Sequence, residues 1–124
     1  VDDATFSKIG TGMSLSSGTF TFPTSGLYHV MASMQSLQSG SDTITFNIKV
    51  TANNSSYDVV AVANNGDGGS ARVNTATTSY FVNVTNTSNV KVRFAISSLS
   101  SGTVIGSTDQ NQTYFTFIRL GDSQ

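Results

Sequence analysis

Apolar and polar residues alternate with a period of two along nearly the whole chain, the spacing of half-buried strands and not of helices. Read on that period, the sequence predicts strands over residues 5–9, 18–22, 27–37, 43–52, 57–63, 71–84, 90–99 and 113–120, with a stub at 13–15. The separators at 10–12, 39–42, 53–56, 64–69, 85–89 and 100–111 are rich in Gly, Asn, Asp and Ser, the residues that accept turn conformations. Pro23 breaks one apolar alternation and Thr24-Ser25-Gly26 turns the chain before it resumes at Leu27. Short strands at this spacing, uninterrupted by any helical stretch, predict an all-β, two-sheet antiparallel sandwich or jelly roll.

The strands sort into two kinds. Residues 43–51 set Ile44, Phe46, Ile48 and Val50 against Thr43, Thr45, Asn47, Lys49 and Thr51, and residues 90–97 set Val90, Val92, Phe94 and Ile96 against Lys91, Arg93 and Ser97. Such strands face water on one side. Residues 113–120 instead carry Tyr114, Ile118 and Leu120 on one face with Phe115 and Phe117 on the other, and residues 27–34 set Tyr28, Val30, Ala32 and Met34 against Leu27, His29 and Met31. A strand apolar on both faces needs two covering layers, and in a short chain the second layer is expected to be another subunit.

Composition narrows the picture. A chain of 124 residues and 13.0 kDa makes a single domain over 1–124. A net charge of -1 with 10% charged residues supplies no basic field to gather phosphates, so no nucleic acid partner is expected. No apolar run approaches the ~20 residues that span a bilayer, so no membrane insertion is expected either. Without Cys there are no disulfides and no thiolate metal sites. Glu is absent and Ser with Thr fills nearly a third of the chain, which suits pleated surfaces and excludes a helical protein. The recurrence of aromatics at strand spacing argues against a disordered Ser/Thr-rich tail. Val1-Asp2-Asp3 opens acidic with no apolar run behind it, so no signal peptide is expected, and Val1 fits either a removed initiator Met or the C-terminal part of a longer chain.

Phe20-Thr-Phe-Pro-Thr-Ser-Gly-Leu-Tyr28 resembles the F-x-x-P-x-x-G-x-Y stretch of the C1q and tumour-necrosis-factor jelly-roll superfamily. Gln112-Thr-Tyr-Phe-Thr-Phe-Ile-Arg-Leu120 resembles its closing strand, and Phe6-Ser-Lys-Ile-Gly10 is similar to the short strand that precedes the motif. The resemblance implies a compact homotrimer, with the sheet holding the third, sixth and last long strands packed around the threefold axis. By the same analogy Tyr114, Thr116 and Ile118 turn to the axis while Phe115 and Phe117 enter the core, and His29, Met31, Ser79 and Phe81 join the axial set. Two departures stand out: the family's further strand before the one with Phe6 has no counterpart, and no collagen-like stalk is present.

Candidate chemistry is sparse. His29 is the single histidine, so any Ser-His-Asp arrangement must pass through it, and a base on a packed strand face does not reach an open cleft. Three copies of His29 meeting at an axis are the alternative, as a site for a metal or anion or as a group whose protonation loosens the trimer. Asn64-Asn-Gly-Asp-Gly-Gly69 has oxygen ligands for calcium but only one carboxylate, Asp67, and reads as a plain mobile turn. It lacks the helix and Lys of a phosphate cradle. The seven acidic residues are scattered, so no carboxylate pair of the glycosidase type is expected. Sequons at Asn53, Asn54, Asn83, Asn86 and Asn111 arise readily in so Ser/Thr-rich a chain.

The expectation is therefore a non-enzymatic module without cofactors or metal. Its ligand contacts are placed in the tip segments 39–42, 64–70 and 100–111, with Ser41, Asp42, Asn65, Asp67, Ser107 and Asp109 as candidates. The absence of Cys and the low charge favour a virion surface protein, a bacteriophage capsid decoration or fibre knob whose partners are capsid or fibre proteins or a host surface receptor. The alternative is a secreted C1q-like module that binds carbohydrate or protein ligands.

Overall fold

A computed structural model describes residues 9–38, 40–69 and 71–124. The strand expected at 5–9 lies almost wholly outside the described residues. The remainder is nine strands and, among the described residues, no helix: β1 (Ser14–Ser16), β2 (Thr19–Thr21), β3 (Gly26–Gln38), β4 (Ser41–Thr51), β5 (Asp58–Gly68), β6 (Arg72–Val84), β7 (Lys91–Ser97), β8 (Gly102–Ile105) and β9 (Tyr114–Gly121).

They form two antiparallel sheets. One has the order β1-β2-β7-β4-β5. In the other, β3 is central, paired along its whole length with β6 on one side and on the other with β9 and then β8. The expected grouping of residues 27–37, 71–84 and 113–120 in one sheet is what the structure has.

Between the sheets the inward positions of the alternations meet. Tyr28, Val30, Ala32 and Met34 from β3 and Val82 and Val84 from β6 pack on Ile44, Phe46 and Ile48 from β4 and Val92 from β7. Phe22, next to Pro23, caps this core against Tyr28 with ring centroids 4.7 Å apart. Tyr28 places its hydroxyl 3.0 Å from the Thr24 carbonyl oxygen, so the turn that follows Pro23 is pinned by the strand it starts. Ile96, expected on the core side, is exposed near the end of β7.

Three sequence expectations are corrected. The segment 64–69 is not a mobile turn: β5 runs on to Gly68 because the ladder with β4 continues through Ile44↔Asn65 and Asp42↔Asp67 to Ser41↔Gly68, and paired backbone overrides turn-forming side chains. Asn65 is accordingly buried, and it cannot serve as an exposed ligand residue. Ser41 and Asp42 likewise open β4 instead of forming a loop. Lastly, the stretch 100–111 contains β8, four residues that the Ser/Gly-rich setting hides. Gly102, with φ 142°, lies so close to β3 that a Cβ there would stand 2.5 Å from the Leu37 carbonyl oxygen. Only glycine permits that approach.

Candidate interaction face

The seven residues expected at an axis fall on one surface, the outer face of the β3–β6–β9 sheet. Because opposite residues in antiparallel strands point the same way, the register arranges them in rows. His29 lies between Phe81 and Ile118, Met31 between Ser79 and Thr116, and Ser33 between Thr77 and Tyr114. The His29 ring stacks on Phe81 with centroids 4.8 Å apart. Thr77 and Ser33 place their hydroxyls 3.2 Å apart, so these two polar members of the face satisfy each other.

Apolar members are not covered. Phe81 is 59% exposed, Ile118 48% and Leu120 54%. Val73 and Leu37, further along the same outward parity of β6 and β3, are also exposed. Large apolar side chains collected on one sheet face differ from single scattered ones, which need no explanation.

At the start of β4, beside the end of β3, Asp42 and Asn65 belong to a braced end of the molecule. Asp42 gathers the segment after β7: its carboxylate accepts from the Ser100 and Ser101 backbone N–H groups at 2.8 Å each and from the Ser100 hydroxyl at 2.9 Å. It also accepts from the Thr43 N–H at 2.8 Å. These donors, the Ser101 and Ser100 amides foremost, hold its carboxyl below the ordinary carboxylate range. Behind it Gln38, fully buried, donates to the carbonyl oxygens of Asp42 and Asn65 and accepts from Asn74, while Asn65 donates to the Ser36 hydroxyl at 3.1 Å. Ser41, Asp42, Asn65 and the backbone of Asp67 are thus brought together, as structure more than as free ligand groups.

Ser107 and Asp109 lie on a separate connection, between β8 and β9. The Asp109 N–H donates to the Ser107 hydroxyl at 3.1 Å, and the connection ends where Thr113 donates to the Ile105 carbonyl and accepts from the Gln35 N–H.

One feature was invisible in the sequence. A groove of about 1520 Å³ opens where the sheets part, lined by Leu15 and Phe20 on one side and Tyr114, Phe115 and Phe117 on the other. Phe115 forms its floor, stacked on Phe94 with centroids 3.9 Å apart. Alternation marks Phe115 and Phe117 as inward but does not reveal that β9 pairs only with β3 among the described residues. Thr11, Ser107, Asn111 and Arg119 line it beside the aromatics, and among the described residues it brings together no acid, base or nucleophile set. Among the described residues no three of His, Cys, Asp and Glu gather to hold a metal. No helix among them is long and apolar enough to cross a membrane.

Compared with known proteins, no family model and no curated protein matches the sequence. The fold does have a counterpart: the structure of Eiger TNF from S. frugiperda aligns over 90% of this chain and 71% of its own with a TM-score of 0.72 at 13% identity. At that identity the likeness establishes the fold, a jelly roll of the tumour-necrosis-factor type, and nothing finer.

Proposed function

We propose that this chain is a non-enzymatic structural and binding module that assembles as a homotrimer through the outer face of the β3–β6–β9 sheet. The observation that carries the reading is the apolar content of that face, where Phe81, Ile118 and Leu120 remain about half exposed side by side. Burying them against copies of themselves removes apolar surface from water and supplies the second layer that a two-sided strand needs. The tumour-necrosis-factor type of fold supports the same arrangement. Catalysis finds little support, since the single histidine stacks on Phe81 on a sheet face instead of standing in a cleft.

Ligand contacts then fall to the connections at the rims of the assembly, the segment after β7 held by Asp42 and the one through Ser107 and Asp109. We place the module on a virion surface, against capsid or fibre proteins or a host receptor, on the strength of a cysteine-free, weakly charged, Ser/Thr-rich composition. The likeness to Eiger TNF favours a second placement, an extracellular recognition module for protein or carbohydrate ligands.

Sedimentation equilibrium at micromolar concentration tests the assembly. A mass of three subunits is expected, and a folded single subunit overturns the reading. The flanking reading frame separates the placements: structural genes of a particle argue for the first, a secretion signal with a stalk for the second.

A further inference from the structure

We infer that the assembly face carries a built-in acid release: protonation of His29 drives the subunits apart. The inference rests on the proposed self-assembly through this face and adds its regulation.

His29 sits in the middle strand of the sheet, with Phe81 opposite it on β6 and Ile118 opposite it on β9. Its ring is half-buried and stacked on Phe81. On β6 the outward neighbours are Ser79 and Asn83, on β9 Thr116 and, two rows away, Tyr114, and none of these carries a charge near neutral pH. The charged side chains of the adjoining chain end, Arg119 and Asp122, pair with each other at 2.8 Å. Beyond them the Gln124 backbone oxygen accepts from Asn83 Nδ2 and the Gln124 N–H donates to Asn83 Oδ1 at the exposed rim.

Among the described residues no carboxylate side chain on the face stands ready to neutralise an imidazolium. Covering an imidazole with apolar groups penalises its charged form, so covered subunits take up fewer protons than free ones. Assembly therefore holds above the range in which imidazoles titrate and weakens as pH falls through it, and a threefold assembly applies the effect three times.

The test is sedimentation equilibrium of the whole chain at about pH 7.5 and about pH 5, at constant ionic strength, beside His29→Phe and His29→Gln, with circular dichroism reporting the fold throughout. The association constant of the unaltered chain is expected to fall at least ~10-fold at the lower pH, while each variant, whatever its own constant, shows none of that fall. Equal assembly of the unaltered chain at both values overturns the acid release and leaves the assembly standing. An acid loss that persists in both variants overturns it as well, by assigning the effect to another group. Single folded subunits at both values overturn the assembly itself and this inference with it.

Discussion

The outer faces of the two sheets enclose one core and are built on the same alternation, but they meet their surroundings differently. On the β4–β7 side, Arg93 lies 4.1 Å over the Tyr57 ring and donates to the Thr19 hydroxyl, Lys91 reaches the Thr21 hydroxyl, and Asn47 donates to Ser97. These polar groups have partners in the same subunit, although Val59 and Val62, opposite Lys49 and Asn47, are about half exposed on that face as well. On the β3–β6–β9 side Thr77 and Ser33 pair with each other while Phe81, Ile118 and Leu120 are about half exposed. A face with two exposed valines among partnered polar groups has less to gain from being covered than one that collects Phe81, Ile118 and Leu120. The comparison supports the proposed assembly face without any motif.

The strongest way to break the comparison is Ile118→Asp. Placing a charge at the centre of the apolar face should weaken association by at least ~2 kcal/mol, about 30-fold, in sedimentation, with an unchanged circular dichroism spectrum. An unchanged association constant would show the two faces to be equivalent. A second substitution, Gln38→Leu, strikes the buried polar brace that ties both sheets together and leaves Asn74 and the Asp42 and Asn65 carbonyls short of a partner. It should cost ~1–3 kcal/mol in denaturant unfolding while sparing the proposed assembly, since Gln38 is buried between the sheets and not on the outer face.

On the polar face, Arg93→Ala removes a surface cation–π contact and a bond to Thr19, for a loss of about 0.5–1 kcal/mol in stability and none in association. The smallest effect appears only in acid. The Asp42 carboxyl lies below its ordinary 3.8, chiefly through the Ser101 and Ser100 amides, so the stability it lends is complete above that value and is lost as pH falls through the lowered one. Acid unfolding of Asp42→Asn should lack this component, and a curve superimposable on that of the unaltered chain would deny Asp42 its bracing role.

How much of this was legible beforehand differs from element to element. Pro23, the turn before Gly26 and the alternation on either side of it specify the start of β3 locally, because proline and glycine act through their own backbone. Asn65 was unreadable for the converse reason: a Gly/Asn-rich stretch is a turn by composition, and only the ladder to β4 draws it into a strand and turns its amide toward Ser36. β8 leaves no signal in the sequence because four residues carry too little pattern, and its pairing brings Gly102 against Leu37 at a distance only glycine permits.

By itself the sequence determined the all-β class, the inward and outward sides of the long strands, and the division between one-sided and two-sided strands, since each follows from a period of two read within one segment. Tertiary structure alone decided that His29, Phe81 and Ile118 form one row, that Asp42 braces the segment at Ser100 and Ser101, and that a groove opens beside Phe115. These depend on register and on which strand lies beside which, and such long-range pairings leave no mark in the local alternation of any single strand.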